Sequence, residues 1–130
     1  MRFVLAVGLV MLVACGNPSD LPHVNTTQIA AIDDQFSPSI DTVVVSQEII
    51  WSFPTGNADT HTVTWTSSDT SLHNSGDRAP GAPNYKQFFG TVGTYSYQCS
   101  HHASMGMVGT LVVCQPSTTV SGAFNPAACG

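Results

Sequence analysis

An all-β sandwich is the fold class this sequence predicts, and three observations carry the prediction. Straight-chain helix formers are scarce past residue 20, with one Glu (Glu48), one Lys (Lys86) and three Leu (Leu21, Leu72 and Leu111). Ser, Thr and Val each occur 14 times, and β-branched residues suit the pleated, half-buried surface of a strand. Short apolar runs are separated by turn residues, without a sustained helical stripe, an internal repeat or a Gly-rich phosphate loop. At 130 residues the chain is sized for one compact domain.

Residues Met1 to Ala14 read as an export signal: one positive charge at Arg2, then 12 apolar residues from Phe3 to Ala14. That run is short for a membrane span, which needs about 20 residues. It ends in Leu12-Val13-Ala14-Cys15, which resembles a bacterial lipobox, where cleavage precedes the Cys and its thiol takes the lipid. The processed protein would have 116 residues (130 − 14), with two basic and eight acidic side chains, a charge of −6. Acyl chains would then supply the membrane affinity, since the polypeptide has no basic patch of its own. Residues 15–27 are the lipidated Cys and a Pro- and Asn-rich tether. Its 12 residues from Gly16 to Thr27 could extend to about 40 Å, and they include His23, read as a solvated linker residue.

Residues 28–114 form the domain. Ile29, Ala31 and neighbouring Ile32 suggest one strand, Ile40–Val45 a second and Ile49–Phe53 a third. In Thr60–Thr66 (THTVTWT) the alternation is strict, with His61, Val63 and Trp65 on the apolar face and four Thr on the other. Thr94–Cys99 repeats the pattern, so Tyr95, Tyr97 and Cys99 face inward, and Val108–Cys114 closes the domain. Ser67–Asn84 has no clear period and reads as a long loop, with His73 on its surface. The tail, residues 115–130, is rich in Pro, Gly, Ser and Thr and is not expected in the core.

With Cys15 lipidated, Cys99, Cys114 and Cys129 remain. An odd count leaves at least one thiol over. Of the three possible pairings, Cys114 with Cys129 is favoured, stapling the tail to the last strand with a stabilisation of about 3 kcal/mol. Cys99 would then be a free thiol in an oxidising compartment, where a bound metal is one protector.

The informative segment is Cys99-Ser-His-His102-Ala-Ser-Met-Gly-Met107-Val-Gly109, between two strands. It places thiolate, imidazole and thioether close together, with His61 ending the inward face of an earlier strand. Copper that cycles between Cu(I) and Cu(II) wants this mixture of a soft thiolate, two imidazoles and a weak axial thioether. The sequence resembles the cupredoxins, the small blue copper proteins, and most closely their plastocyanin-like branch. The resemblance rests on Tyr95-Ser-Tyr-Gln-Cys99-x-x-His102-x-x-x-x-Met107-Val-Gly109 and on His61 in Asp-Thr-His-Thr-Val, with Phe36-Ser-Pro38 and Trp51 in support. It covers about Gln28 to Val113. It implies a Greek-key sandwich, one type 1 copper ion, equatorial ligands His61, Cys99 and His102, and axial Met107.

Three departures stand beside it. Met105 competes with Met107, although Met107-Val-Gly109 fits the family's Met-x-Gly. His101 stands where the branch usually has Pro, and is read as an exposed neighbour of the site. Thr62 follows His61 where the family often has an Asn tying the two ligand loops together. Without the resemblance, the same residues suit an immunoglobulin-like lipoprotein, with Cys99 joined to Cys114 or Cys129 and the Met pair filling gaps.

The functional expectation is a monomeric, membrane-anchored electron carrier at the cell envelope, facing the periplasm or the exterior, and no enzyme. The family exposes the loop His at an apolar end; here that is His102, with Ala103, Met105 and Pro80–Pro83 as candidate surroundings. Three Lys/Arg against eight Asp/Glu give a net charge of −5, which favours a basic redox partner such as a cytochrome and disfavours nucleic acid. A copper storage or delivery lipoprotein, drawing on Met105 and His101, is the alternative.

Overall fold

The computed structural model describes residues 28–115. The signal segment, Cys15, the tether with His23, and Cys129 lie outside the described residues. Eight strands follow one another: β1 (Gln28–Ile32), β2 (Gln35–Ser37), β3 (Ile40–Val44), β4 (Gln47–Ser52), β5 (Thr64–Trp65), β6 (Tyr85–Phe89), β7 (Gly93–Gln98) and β8 (Val108–Cys114). They form two four-stranded sheets, ordered β2-β1-β4-β6 and β3-β8-β7-β5. Every connection except β1–β2 and β7–β8 changes sheet, which makes the Greek-key sandwich the sequence predicts. β1–β4 and β3–β8 pair in parallel and the other pairs antiparallel.

Alternation along the strands builds the core. Ile29, Ala31, Phe36, Ile49, Trp51 and Phe89 face inward from one sheet, and Val43, Tyr95, Tyr97, Leu111 and Val113 from the other. Trp51 meets Trp65 and Tyr97 nearly at right angles, with ring centroids 5.7 and 5.5 Å apart. Each such pair adds about 0.5–1.5 kcal/mol beyond the buried area.

β7 and β8 match the expected pattern, and β8 has the expected bounds. Two strands were not separable in the sequence. β2 is three residues long and follows a tight turn in which Asp34 has a φ of 63°. β6 turns Tyr85, Gln87 and Phe89 inward, and Gln87, bonded to the Tyr85 hydroxyl at 3.1 Å, interrupts the apolar alternation. The expected strand Thr60–Thr66 is shorter: Thr64 and Trp65 pair in register with β7, and Thr66 N–H donates to Ser96 O at 2.9 Å. Residues 61–63 instead bond to the 75–78 segment. His61 and Arg78 exchange both backbone bonds, at 3.0 and 2.8 Å, and Val63 N–H donates to Ser75 Oγ at 2.7 Å.

Candidate metal centre

Cys99 directly follows β7 and is the free cysteine among the described residues. The loop beyond it folds back on itself. His102 N–H donates to Cys99 O at 3.2 Å, a single 3-10 turn spans Ala103–Met105, and Met107 N–H donates to His102 O at 3.2 Å. Gly106 adopts φ 90°, a left-handed conformation that glycine reaches without steric cost, and reverses the chain. Met107 O then accepts from Cys99 N–H at 3.0 Å, so the ends of the loop lie side by side. The next inward position is Gly109, paired with Tyr97, where a Cβ would lie 2.2 Å from the tyrosine ring.

His61 arrives from the other loop. Its Nδ1 is 3.9 Å from Cys99 Sγ, and His102 Nδ1 is 3.4 Å from the same sulfur. The candidate ligand atoms of all three lie within 4.8 Å of one another, and all three residues are buried. A metal about 2.0 Å from nitrogen and about 2.3 Å from sulfur, with trigonal angles, would hold N and S about 3.7 Å apart. The observed separations bracket that value, so the cradle fits a trigonal first-row ion. Met107 is fully buried beside the cluster, whereas Met105 is 58% exposed. His61, Cys99, His102 and Met107 are thus gathered at one end of the sandwich, in an arrangement typical of a type 1 copper site.

Thr62 joins the two ligand loops. Its backbone N–H donates to Cys99 Sγ at 3.4 Å, and its hydroxyl accepts from Ser100 N–H at 2.8 Å. The tie that the Asn-to-Thr departure put in doubt is therefore present. Burial pushes the His61 imidazole below its ordinary pKa; the neighbouring His102 adds to this, and Asp33 and Asp59 oppose it. A neutral imidazole is the form a metal needs.

Carboxylates stand behind both imidazoles. Asp33 Oδ1 is 3.5 Å from His61 Nε2, and Asp59 Oδ2 is 3.9 Å from His102 Nε2. Neither was singled out in the sequence, where nothing in their spacing relative to His61 and His102 marks them. His101 is exposed, as expected, and its Nε2 lies 2.8 Å from Asp77 Oδ1. His102 borders an open recess of about 470 Å³ lined by Asp59, Thr60, Asp77 and His101. Of the residues expected to surround His102, Met105 is 58% exposed. His73 is exposed in its loop, where its backbone carbonyl accepts from the Tyr85 hydroxyl. Cys114 is buried at the end of β8, and the expected Cys114–Cys129 bond falls on a partner outside the described residues.

Residues 26–114 match the family model described as copper binding proteins, plastocyanin/azurin family. No curated protein sequence matches the chain. Among solved structures, the chain is similar to a purple cupredoxin from Nitrosopumilus maritimus, at 22% identity and a TM-score of 0.56, over 66% of this chain and 97% of that one. It is also similar to oxidised plastocyanin from Dryopteris crassirhizoma, at 20% identity and a TM-score of 0.55, over 66% and 98%. A copper-containing nitrite reductase from Thermus scotoductus matches at 19% identity and a TM-score of 0.56, over 75% of this chain and 23% of that one.

Proposed function

Because the chain belongs to the plastocyanin/azurin family of copper-binding proteins, we propose that it is a type 1 copper electron carrier, shuttling one electron between redox partners at the cell envelope. The observation that carries this reading is the buried His61–Cys99–His102 cluster with Met107 at the end of the same loop. When bound, copper supplies a one-electron couple between Cu(I) and Cu(II). Cys99 offers the soft thiolate, His61 and His102 the imidazoles acceptable to both states, and Met107 the axial thioether. The hydrogen bonds from Thr62 and within the loop hold these side chains in place, so little need move as the charge changes.

His102 is the natural exit, since it is 8% exposed while His61 and Cys99 are fully buried. The match to the plastocyanin/azurin family supports a carrier rather than an enzyme. The signal-like Met1–Ala14 and the lipobox at Cys15 support export and a lipid anchor, facing the periplasm or exterior. The excess of acidic residues supports a basic partner such as a cytochrome, met as a monomer, and Cys114–Cys129 is the disulfide we propose for the tail. Copper storage or delivery is the second reading, favoured by the exposure of both Met105 and His101.

One equivalent of Cu(II) should give an intense blue charge-transfer band with the wild-type protein and none with Cys99→Ser. The band should bleach and return through repeated reduction and reoxidation without loss of metal. A colourless protein would end the type 1 reading, and metal lost at each cycle would favour delivery.

A further inference from the structure

His61 Nε2 is buried and meets no hydrogen bond, which is costly for a polar atom with no access to water. The group that faces it is the Asp33 carboxylate at 3.5 Å, about half an ångström beyond an ordinary N–H···O contact. Asp33 is fixed rather than adrift. Both of its oxygens accept from Ala58 N–H, at 3.0 and 3.1 Å, and Asn57 Nδ2 donates to Ala31 O at 2.7 Å. The β1–β2 turn is therefore stitched to the loop that runs into His61, and a small tilt of the imidazole closes the remaining gap.

We propose that Asp33 is a positioning residue for the ligand His61: its carboxylate takes the Nε2 proton into a hydrogen bond, leaves the Nδ1 lone pair directed at the Cys99 cluster, and favours Cu(II) over Cu(I). A histidine ligand's two nitrogens are coupled, because the partner of one fixes the tautomer and the basicity of the other. A negative charge one imidazole away from the metal stabilises the higher oxidation state. Asp33 is 43% exposed, so solvent screens part of this effect. Asp59 behind His102 acts in the same sense from the greater distance of 3.9 Å. This inference rests on the copper reading above, but the tautomer can be read without metal.

The test uses the full chain with Asp33→Asn, which keeps an acceptor oxygen and loses the charge, and Asp33→Ala, which loses both. Exposed Asp34→Asn removes the same charge from the same turn as a control. Nitrogen NMR of the metal-free proteins should show His61 protonated at Nε2 in wild type and Asp33→Asn, and a mixture of tautomers in Asp33→Ala. In the copper-loaded proteins, Asp33→Asn should lower the Cu(II)-over-Cu(I) affinity ratio about tenfold, a rise of about 59 mV in potential, with a much smaller shift in the control. Equal shifts in Asp33→Asn and Asp34→Asn, or an unchanged tautomer in Asp33→Ala, would overturn the proposal. If the tautomer responds to Asp33→Ala but wild type shows no blue band, the positioning role stands and the electron-carrier reading fails.

Discussion

Gly109 shows how closely the last strand is fitted to the site. It faces Tyr97 across the β7–β8 ladder, and any Cβ there would lie inside the van der Waals radius of the ring. The Met-x-Gly pattern that favours Met107 thus has a packing reason behind it. Gly109→Ala should lower stability by about 1–3 kcal/mol through overpacking, seen as a lower urea midpoint, and Tyr97→Leu in the same chain should recover part of the loss. Tyr97 also carries a pH signature: burial pushes its hydroxyl up to about 12 from its ordinary 10, against a smaller opposing effect from Trp51. The folded state then holds a proton that the unfolded chain releases between about pH 10 and 12, so stability present below pH 10 is lost as pH rises through that window. Stability that stays flat over this range would contradict it; tyrosinate absorbance followed beside unfolding makes the comparison. At this scale the sequence placed Cys99, His102 and Met107 on one short segment, where a tight loop binds local spacing to geometry, and His61 was legible only from the alternation of Thr60–Thr66. It could not locate Asp33 or Asp59, which come close to the imidazoles only through tertiary approach.

The segment from Ser75 to Arg78, read in the sequence as irregular, serves as the edge partner of residues 61–63. Ser75 bonds twice to Val63, its Oγ accepting from Val63 N–H at 2.7 Å and its N–H donating to Val63 O at 3.0 Å. Such a pairing through a side chain has no period, which is why neither hydrophobic pattern nor turn chemistry revealed it. Ser75→Ala strands the Val63 N–H beside a fully buried side chain and should cost about 1–3 kcal/mol. With its Ser75 Oγ acceptor gone, the Val63 amide hydrogen should exchange faster in the variant, while the β7–β8 amides remain protected. The long strands were legible because one face of each is buried; β2 was too short, and in β6 the inward Gln87 concealed the alternation.

Charge belongs to the molecule as a whole. The recess beside His102 is bordered by Asp59 and Asp77, and the chain carries eight acidic against three basic side chains. Electron exchange with a basic protein partner should therefore slow as salt rises from 0.01 to 0.15 M, where the screening length falls from about 30 to about 8 Å. A rate that is independent of salt in stopped-flow mixing would remove the acidic end from the encounter. The same global view applies to the β3–β8 pairing, whose register sets Ile40 against Thr110, 70 residues apart (110 − 40). A chain made from its amino end at about 5–20 residues per second spends roughly 4–14 s with β3 complete and its partner not yet synthesised. Through that interval a β-branched ribbon has no mate, and the growing polypeptide is open to aggregation until β8 arrives and completes the second sheet of the sandwich.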